Sequence, residues 1–429
     1  MIPVHCAVFD IGKTNKKLFV FDENYRIVFE KSERLPETTD EDGDPCEDVH
    51  LLRDWVLNSL HEVLSNRDFH ILAINSSAYG ASFVYLDKEG KIIAPLYNYL
   101  KPYPEKLKQQ FYQKYGGEEA FARTTASPVL GSLNSGIQLY RLKYERPDLF
   151  QKVKYALHLP QYVSHLIHGR YYDEITSLGC HTNLWDFTQN TYHDWVSAEG
   201  IDDKFPELYP SNRPAGTYIS GWRGGVGHGL HDSSAALIPY LESFKEPFVL
   251  ISTGTWNISL NPFNYAPLTD EELRQDCLCY LSWKGTPVKA SRLFAGYEHE
   301  QAVKKMAEEY GVREDFYTSP NKLSDPSRVT KKLSESYLAF MRQLVERQAV
   351  STMLAISDTP VQRIFVDGGF SKNEIFMSLL AKAFPNMEIY AAEVAQASAL
   401  GAAMAIHGRW NDKPLRQDLI ALKKYRAES

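Results

Sequence analysis

Three apolar runs, each broken by a short polar turn, fall near the beginning, middle and end of the chain. The first covers residues 5–22: Cys6-Ala7-Val8-Phe9 enters the turn Asp10-Ile11-Gly12-Lys13-Thr14-Asn15, and Leu18-Phe19-Val20-Phe21 leaves it. Two apolar runs around a glycine-bearing turn predict a β-hairpin. The second covers residues 247–260, entering with Phe248-Val249-Leu250-Ile251, turning through Ser252-Thr253-Gly254-Thr255 and leaving with Ile258-Ser259-Leu260. It predicts the same unit again, and the repetition predicts two halves of similar plan. In the third, Ile364-Phe365-Val366-Asp367 meets Gly368-Gly369-Phe370-Ser371-Lys372-Asn373 and then the apolar-periodic stretch 375–381. Strand, glycine turn and helix start in that order aim backbone N–H groups at an anion or nucleotide.

Helical periodicity covers 51–64, 132–144, 329–356 and 397–407. Strands interleaved with helices give an α/β class. A polar connector ending in Pro247 predicts a boundary, dividing the chain into residues 1–243 and 244–429. The tail after Trp410, rich in Lys, Arg, Asp and Gln, reads as a surface helix.

Composition narrows the function classes. The chain has 429 residues, enough for two or three domains with real cores, and ligand clefts are common between such domains. A net charge of −7 argues against a general nucleic-acid binder, because a surplus of acid repels the phosphate polymer. No apolar run reaches the roughly 18 residues of a membrane span, and the start lacks the basic-then-apolar order of a signal peptide. A cytoplasmic protein is therefore expected. Five cysteines form no disulfide framework. Cys277 and Cys279 make a lone C-x-C without a second ligand pair, so they read as buried or edge-strand thiols. Most of the 26 tyrosines read as half-buried core, with some suited to a polar pocket.

The sequence has no G-x-x-x-x-G-K-[ST] loop, and residues 224–229 lack the spacing of a dinucleotide fingerprint. It has no G-x-S-x-G elbow and no H-E-x-x-H. The turns remain. Asp10 ends a strand with a carboxylate suited to Mg²⁺, mostly through water; Gly12 lets a ligand approach the backbone; Lys13, Thr14 and Asn15 surround it with a cation and donors. The turn holding Gly254 and Thr255 offers similar donors without a carboxylate, which suits a phosphoryl group in transfer. Either turn alone reads equally as an ordinary hairpin. With the third segment they make a nucleotide clamp.

In order and spacing, these three segments resemble the phosphate-1, phosphate-2 and adenosine motifs of the FGGY carbohydrate kinases, members of the actin-like ATPase superfamily. The middle of the chain follows the family too, through Tyr162 to Gly169, Thr176-Ser177, Leu184-Trp185-Asp186-Phe187 and Trp195, and the Ala/Gly-rich stretch 392–403 is similar to its C-terminal helix. The resemblance implies two actin-like (ribonuclease H-like) domains with a ligand cleft, sugar and catalytic base on the first and ATP on the second. It implies ATP-dependent phosphorylation of a small sugar, with rhamnulokinase- and fuculokinase-type members nearest in flavour. Candidate substrates are 6-deoxyketohexoses and ketopentoses. ATP and Mg²⁺ are the implied cofactors, with Asp10 facing the metal and Gly12, Lys13, Thr14, Asn15, Gly254, Thr255, Gly368, Gly369 and Asn373 facing the nucleotide.

The family places its base in a Gly/His-bearing loop before the second domain, which matches Asp232 here. A positioned carboxylate can accept the proton of the attacking hydroxyl; capping the following helix is an ordinary second role for an Asp there. His231 is expected to orient Asp232, and His228 to hydrogen-bond or face solvent. Residues 74–87 match a hairpin that lines the family's sugar pocket, making Ala78, Tyr79 and Gly80 contacts. Where relatives carry a Trp–Asp or Arg–Asp element, this chain has Tyr97-Asn98-Tyr99, so Asn98 is expected to meet the sugar without a charge. Arg292 reads either as a phosphate contact or as solvated. The expected partner is the small-molecule sugar, with a homodimer left open. A non-catalytic sensor of sugar and nucleotide is the main alternative, and a heat-shock-type ATPase or actin-like filament protein a third.

Overall fold

The computed structural model describes residues 3–219, 221–318, 323, 325 and 329–426. The chain forms two compact units. The first comprises residues 1–243, 279–286 and 396–419; the second comprises 244–278, 287–395 and 420–429. The expected division at 243/244 is linear, whereas two later stretches return to the first unit.

In the first unit the apolar run of β1 (Val4–Ile11) is buried on both faces, as a central strand requires. It pairs antiparallel with β2 (Lys16–Asp22), confirming the first hairpin, and β2 pairs antiparallel with β3 (Ile27–Glu33). Helix α1 (Val49–Ser65) starts at Asp48, whose side chain accepts the His50 and Leu51 N–H groups. Its buried Leu52, Trp55, Val56, Leu60 and Val63 recur at helical spacing and enter the sheet's core with Phe9 and Ile74. On the other side of β1 lies β4 (His70–Ala78), parallel to it. The expected hairpin over 74–87 does not form. β5 (Phe83–Leu86) pairs with β6 (Tyr155–His158) in a separate ribbon, because β4 already has β1 along one edge and later strands along the other.

Helix α2 (Leu159–His168) follows β6, and the single turn α3 (Ile175–Leu178) follows α2. β7 (Ala215–Ile219) and β8 (Trp222–Val226) form a hairpin, and β8 joins β4 in parallel. β9 (Leu230–His231) continues along the same edge of β4 and leads directly into α4 (Asp232–Ser243).

The second unit repeats this plan. β10 (Phe248–Thr253) and β11 (Asn257–Asn261) form the second predicted hairpin. β12 (Cys277–Leu281), of which only Cys277 and Leu278 fall in this unit, is the edge strand carrying the two buried thiols, and β13 (Pro287–Leu293) lies between β12 and β11. After the long helix α5 (Lys331–Ile356), β14 (Arg363–Gly368) pairs in parallel with β10 as β4 does with β1. Helix α6 (Glu374–Ala383), β15 (Glu388–Glu393) and, in the first unit, α7 (Ala397–Ala405) follow. The tail is not a helix: residues 421–425 form β16 (Ala421–Tyr425), antiparallel to β15, where main-chain pairing to an open sheet edge outweighs the local polar composition. None of the described helices is long and apolar enough to cross a membrane.

Candidate active site

The parallel strands β1, β4 and β9 end at one edge, where open α/β sheets commonly hold ligands. Their register puts Asp10, Ser77 and Leu230 in one row and Ile11, Ala78 and His231 in the next, with Asp232 immediately beyond. Asp10 Oδ1 accepts the Ser77 hydroxyl at 2.6 Å and the Ser398 hydroxyl at 3.0 Å. Burial pushes the Asp10 carboxyl above its ordinary value; the two hydroxyls oppose that push and the charge of Asp232 adds to it.

Asp232 keeps 38% of its side chain exposed, so a reactant can reach it. Desolvation by the surrounding protein nevertheless pushes its carboxyl up to about 6, against hydrogen bonds from the Ser233 N–H at 2.6 Å and the Ser233 hydroxyl at 3.3 Å. The helix begins at Asp232 itself and both bonds come from the adjacent Ser233, not from the second or third N–H that a capping side chain accepts, so the expected capping role is not what these bonds supply. His231 Nε2 lies 3.3 Å from Asp232 Oδ1 and 3.1 Å from Cys180 Sγ. Burial pushes this imidazole down to about 3, so it is neutral at pH 7 and lends no cation to pull Asp232 back down. Gly80 stands against the same ring: a Cβ there would come within 2.9 Å of it. His228 is buried and shares a 2.8 Å hydrogen bond with the Arg213 carbonyl.

Tyr79 is buried, its N–H donating to Ile11 O at 3.1 Å and its hydroxyl to Glu47 Oε1 at 2.8 Å. Glu47 receives Lys16 Nζ at 2.6 Å and Lys13 Nζ at 3.4 Å, and Lys13 also pairs with Glu37 at 3.2 Å. Lys16 is buried and donates to the carbonyls of Gly12 at 2.9 Å and Lys13 at 3.1 Å, bracing the first turn from beneath. Thr14 is exposed, and Asn15 Oδ1 accepts Arg34 Nε at 3.1 Å.

Asn98 is differently engaged from the expectation. Its Nδ2 donates to Pro45 O at 3.2 Å, 53 residues earlier in the chain, and its Oδ1 accepts the Leu100 N–H of its own loop at 3.0 Å. Tyr99 is the residue of that stretch that feels the site: burial raises its hydroxyl and the charges of Asp232 and Glu47 raise it further, while its ring packs edge-on to Tyr79 at 5.9 Å.

In the second unit Thr253 lies opposite Gly368. The Thr253 hydroxyl donates to Asp367 O and accepts the Phe370 N–H at 3.0 Å, and Gly369 N donates to Thr253 O at 3.1 Å. Gly368 has φ +79°, and a Cβ there would fall 1.9 Å from Thr253 O, so side chain and backbone both demand glycine. Gly254, Thr255, Gly368 and Gly369 are exposed. Asn373 caps α6, its Oδ1 accepting the N–H groups of Ile375 and Phe376 and its Nδ2 donating to the Tyr337 hydroxyl. Arg292 is neither solvated nor open to a phosphate: it pairs with Asp276 at 2.6 Å and stacks over Trp256 at 5.0 Å.

The N-terminal domain model of the FGGY family of carbohydrate kinases matches residues 6–238, and its C-terminal domain models match 245–332 and 311–406. The chain belongs to the FGGY family of carbohydrate kinases. A rhamnulokinase of Halalkalibacterium halodurans is 24% identical over 258 residues, covering 58% of this chain and 54% of the relative. The chain thus matches about half the length of that relative. A rhamnulokinase of Oceanobacillus iheyensis is 22% identical over 91% of this chain and 90% of its own. The crystal structure of a carbohydrate kinase from Novosphingobium aromaticivorans superposes with a TM-score of 0.80 at 22% identity, covering 100% of this chain and 95% of that one.

Sequence reasoning missed four residues of this candidate site. Ser77 and Ser398 hold Asp10, and Lys16 with Glu47 ties the first turn to Tyr79. A buried Lys needs a charged partner, so an apolar strand beginning at Lys16 was a usable signal, but nothing local pointed to Glu47. Cys180, His181 and His231 also converge, with ligand atoms within 4.8 Å of one another, a grouping that the His228/His231 spacing did not suggest.

Proposed function

We propose that this FGGY protein is an ATP-dependent kinase that transfers the γ-phosphoryl group of ATP to a hydroxyl of a small ketose. The observation that carries the reading is the placement of Asp10 and Asp232 at the ends of the two strands that flank β4, with Asp232 part-exposed and poised at about 6 beside a neutral imidazole. A carboxylate of that basicity is ionised at pH 7 and can take the proton of the attacking hydroxyl as it commits. Asp10, anchored through Oδ1 by two hydroxyls, suits a hydrated cation on the metal side of ATP; Mg²⁺ there would neutralise phosphate charge. The half-buried turn at Gly12–Lys13 with the exposed Thr14, and the exposed turns at Gly254–Thr255 and Gly368–Gly369, suit phosphates and nucleotide. We assign the sugar to the side of Tyr79, Gly80, His231 and Tyr99, with the fully buried Ala78 behind them and Asn98 holding the neighbouring loop. The two rhamnulokinase relatives favour a 6-deoxyketohexose such as rhamnulose or fuculose, ahead of xylulose or ribulose. The reading implies a cytoplasmic protein.

A panel of these four sugars in a coupled ADP-release assay tests the proposal. One sugar should yield ADP and sugar phosphate in equal amounts, and Asp232→Asn should abolish that turnover while ATP still binds. ATP binding without consumption on any sugar would overturn it in favour of a sensor.

A further inference from the structure

Glu174 is completely buried, and among the described residues none of its partners is a cation. Its Oε1 accepts the Ser211 hydroxyl. Its Oε2 accepts the Thr176 N–H at 2.9 Å, the Thr176 hydroxyl at 2.5 Å and the Ser177 N–H at 3.4 Å. A carboxyl hidden from water at the cost of desolvation, and not spent on an ion pair, needs an explanation in what it holds.

It holds a hydroxyl in one orientation. Thr176 has a single hydroxyl proton, and giving it to Glu174 turns the oxygen's lone pairs toward the remaining neighbour. That neighbour is the His231 N–H, which donates to Thr176 Oγ1 at 2.9 Å. β9 is only two residues long and touches β4 through Leu230 and His231 alone. The Thr176 bond is therefore a second anchor on the residue that directly precedes Asp232. A hydroxyl free to rotate would present its proton to that N–H part of the time; one committed to a buried carboxyl oxygen at 2.5 Å does not.

We propose that Glu174, acting through Thr176, is a positioning device that fixes the backbone at His231 and thereby aims the Asp232 carboxylate. This rests on the reading of Asp232 as the base. Neither Glu174 nor Thr176 touches the reacting atoms, so substrate and nucleotide binding should be nearly indifferent to them, whereas turnover depends on the angle of a carboxylate.

The test compares Thr176→Val, which keeps the shape and removes both hydrogen bonds, with Thr176→Ser, which restores them. Thr176→Val should lower kcat about tenfold or more on the sugar that gives turnover, leaving the KM values for sugar and ATP within about twofold; Thr176→Ser should recover kcat to within about threefold. Hydrogen exchange at the His231 amide should quicken at least tenfold in Thr176→Val and return in Thr176→Ser. Unchanged kcat in Thr176→Val, or a Thr176→Ser as impaired as Thr176→Val, overturns the proposal. Should Thr176→Val fail to fold, Ser211→Ala removes the far bond of Glu174 together with a 3.1 Å contact to the Trp283 carbonyl; a several-fold loss of kcat with both KM values unchanged supports the device and no loss overturns it. Asp232→Asn runs alongside: retained turnover there defeats the base assignment, whereas a dead Asp232→Asn with a fully active Thr176→Val defeats the positioning role alone.

Discussion

Ser398 donates its hydroxyl to the Asp10 carboxylate at 3.0 Å across 388 residues of sequence. Together with Ser77 it pins one oxygen of Asp10 and offsets part of the desolvation that pushes the carboxyl up. Ser398→Ala should therefore weaken the metal side of ATP binding. A hydrogen bond to a charged group is worth roughly 1.5–3 kcal/mol, so the Mg²⁺ concentration for half-maximal rate should rise about tenfold, with sugar KM unchanged. Initial rates at varied Mg²⁺ and fixed ATP check this.

The Asp232 carboxyl at about 6 sets a pH limb. Only the ionised form can accept a proton, so kcat/KM for the sugar should climb with unit slope up to about pH 6 and level off above it. A profile flat from pH 5 to pH 8 would remove Asp232 as the group controlling the rate.

The same shift acts on stability. Folding raises the Asp232 pKa, so its favourable contribution is complete below the unfolded value and disappears as pH rises through about 6, where a charge must be held against desolvation. Asp232→Asn removes that charge. The variant should melt above the parent at pH 8, with the gap closing toward pH 4, as thermal unfolding at both pH values would record.

Lys16 and Glu47 are 2% and 7% exposed and lie 2.6 Å apart. Lys16→Met leaves Glu47 short of its nearest cation and strips the donor from the Gly12 and Lys13 carbonyls. The expected cost is about 3 kcal/mol in urea unfolding, and Glu47→Gln added to Lys16→Met should recover a large share.

Gly368→Ala places a methyl group onto the Thr253 carbonyl in a left-handed backbone. The second unit's turn must then open, with a stability loss of about 2 kcal/mol or more and ATP affinity reduced at least tenfold. Isothermal titration with ATP and a denaturation curve measure the two effects.

The two hairpins, the strand–turn–helix near the C-terminus and the acid at the start of α4 were all legible, because each depends on neighbours within a few residues: alternation, a glycine turn, the onset of a helix. The hairpin expected at 74–87 and the helix expected after Trp410 failed for one shared reason. Main-chain groups of β4 and β16 found partners far away in sequence, and local pattern carries no record of those edges. The partners of the Asn98 amide were likewise illegible, since the Pro45 carbonyl it donates to lies 53 residues earlier in the chain.

By itself the sequence determined the α/β class, the repeated plan, the residue types at the turns and the membership in a kinase family, all properties of short segments and their order. Tertiary structure decided that Asp10 meets Ser77 and Ser398, that Lys16 meets Glu47 and that Glu174 reaches His231 through Thr176. It also decided the electrostatics. An Asp has an ordinary carboxyl until surrounding protein takes its water away, and that enclosure, which raises Asp232 to about 6 and lowers His231 to about 3, exists only once distant strands end at one edge.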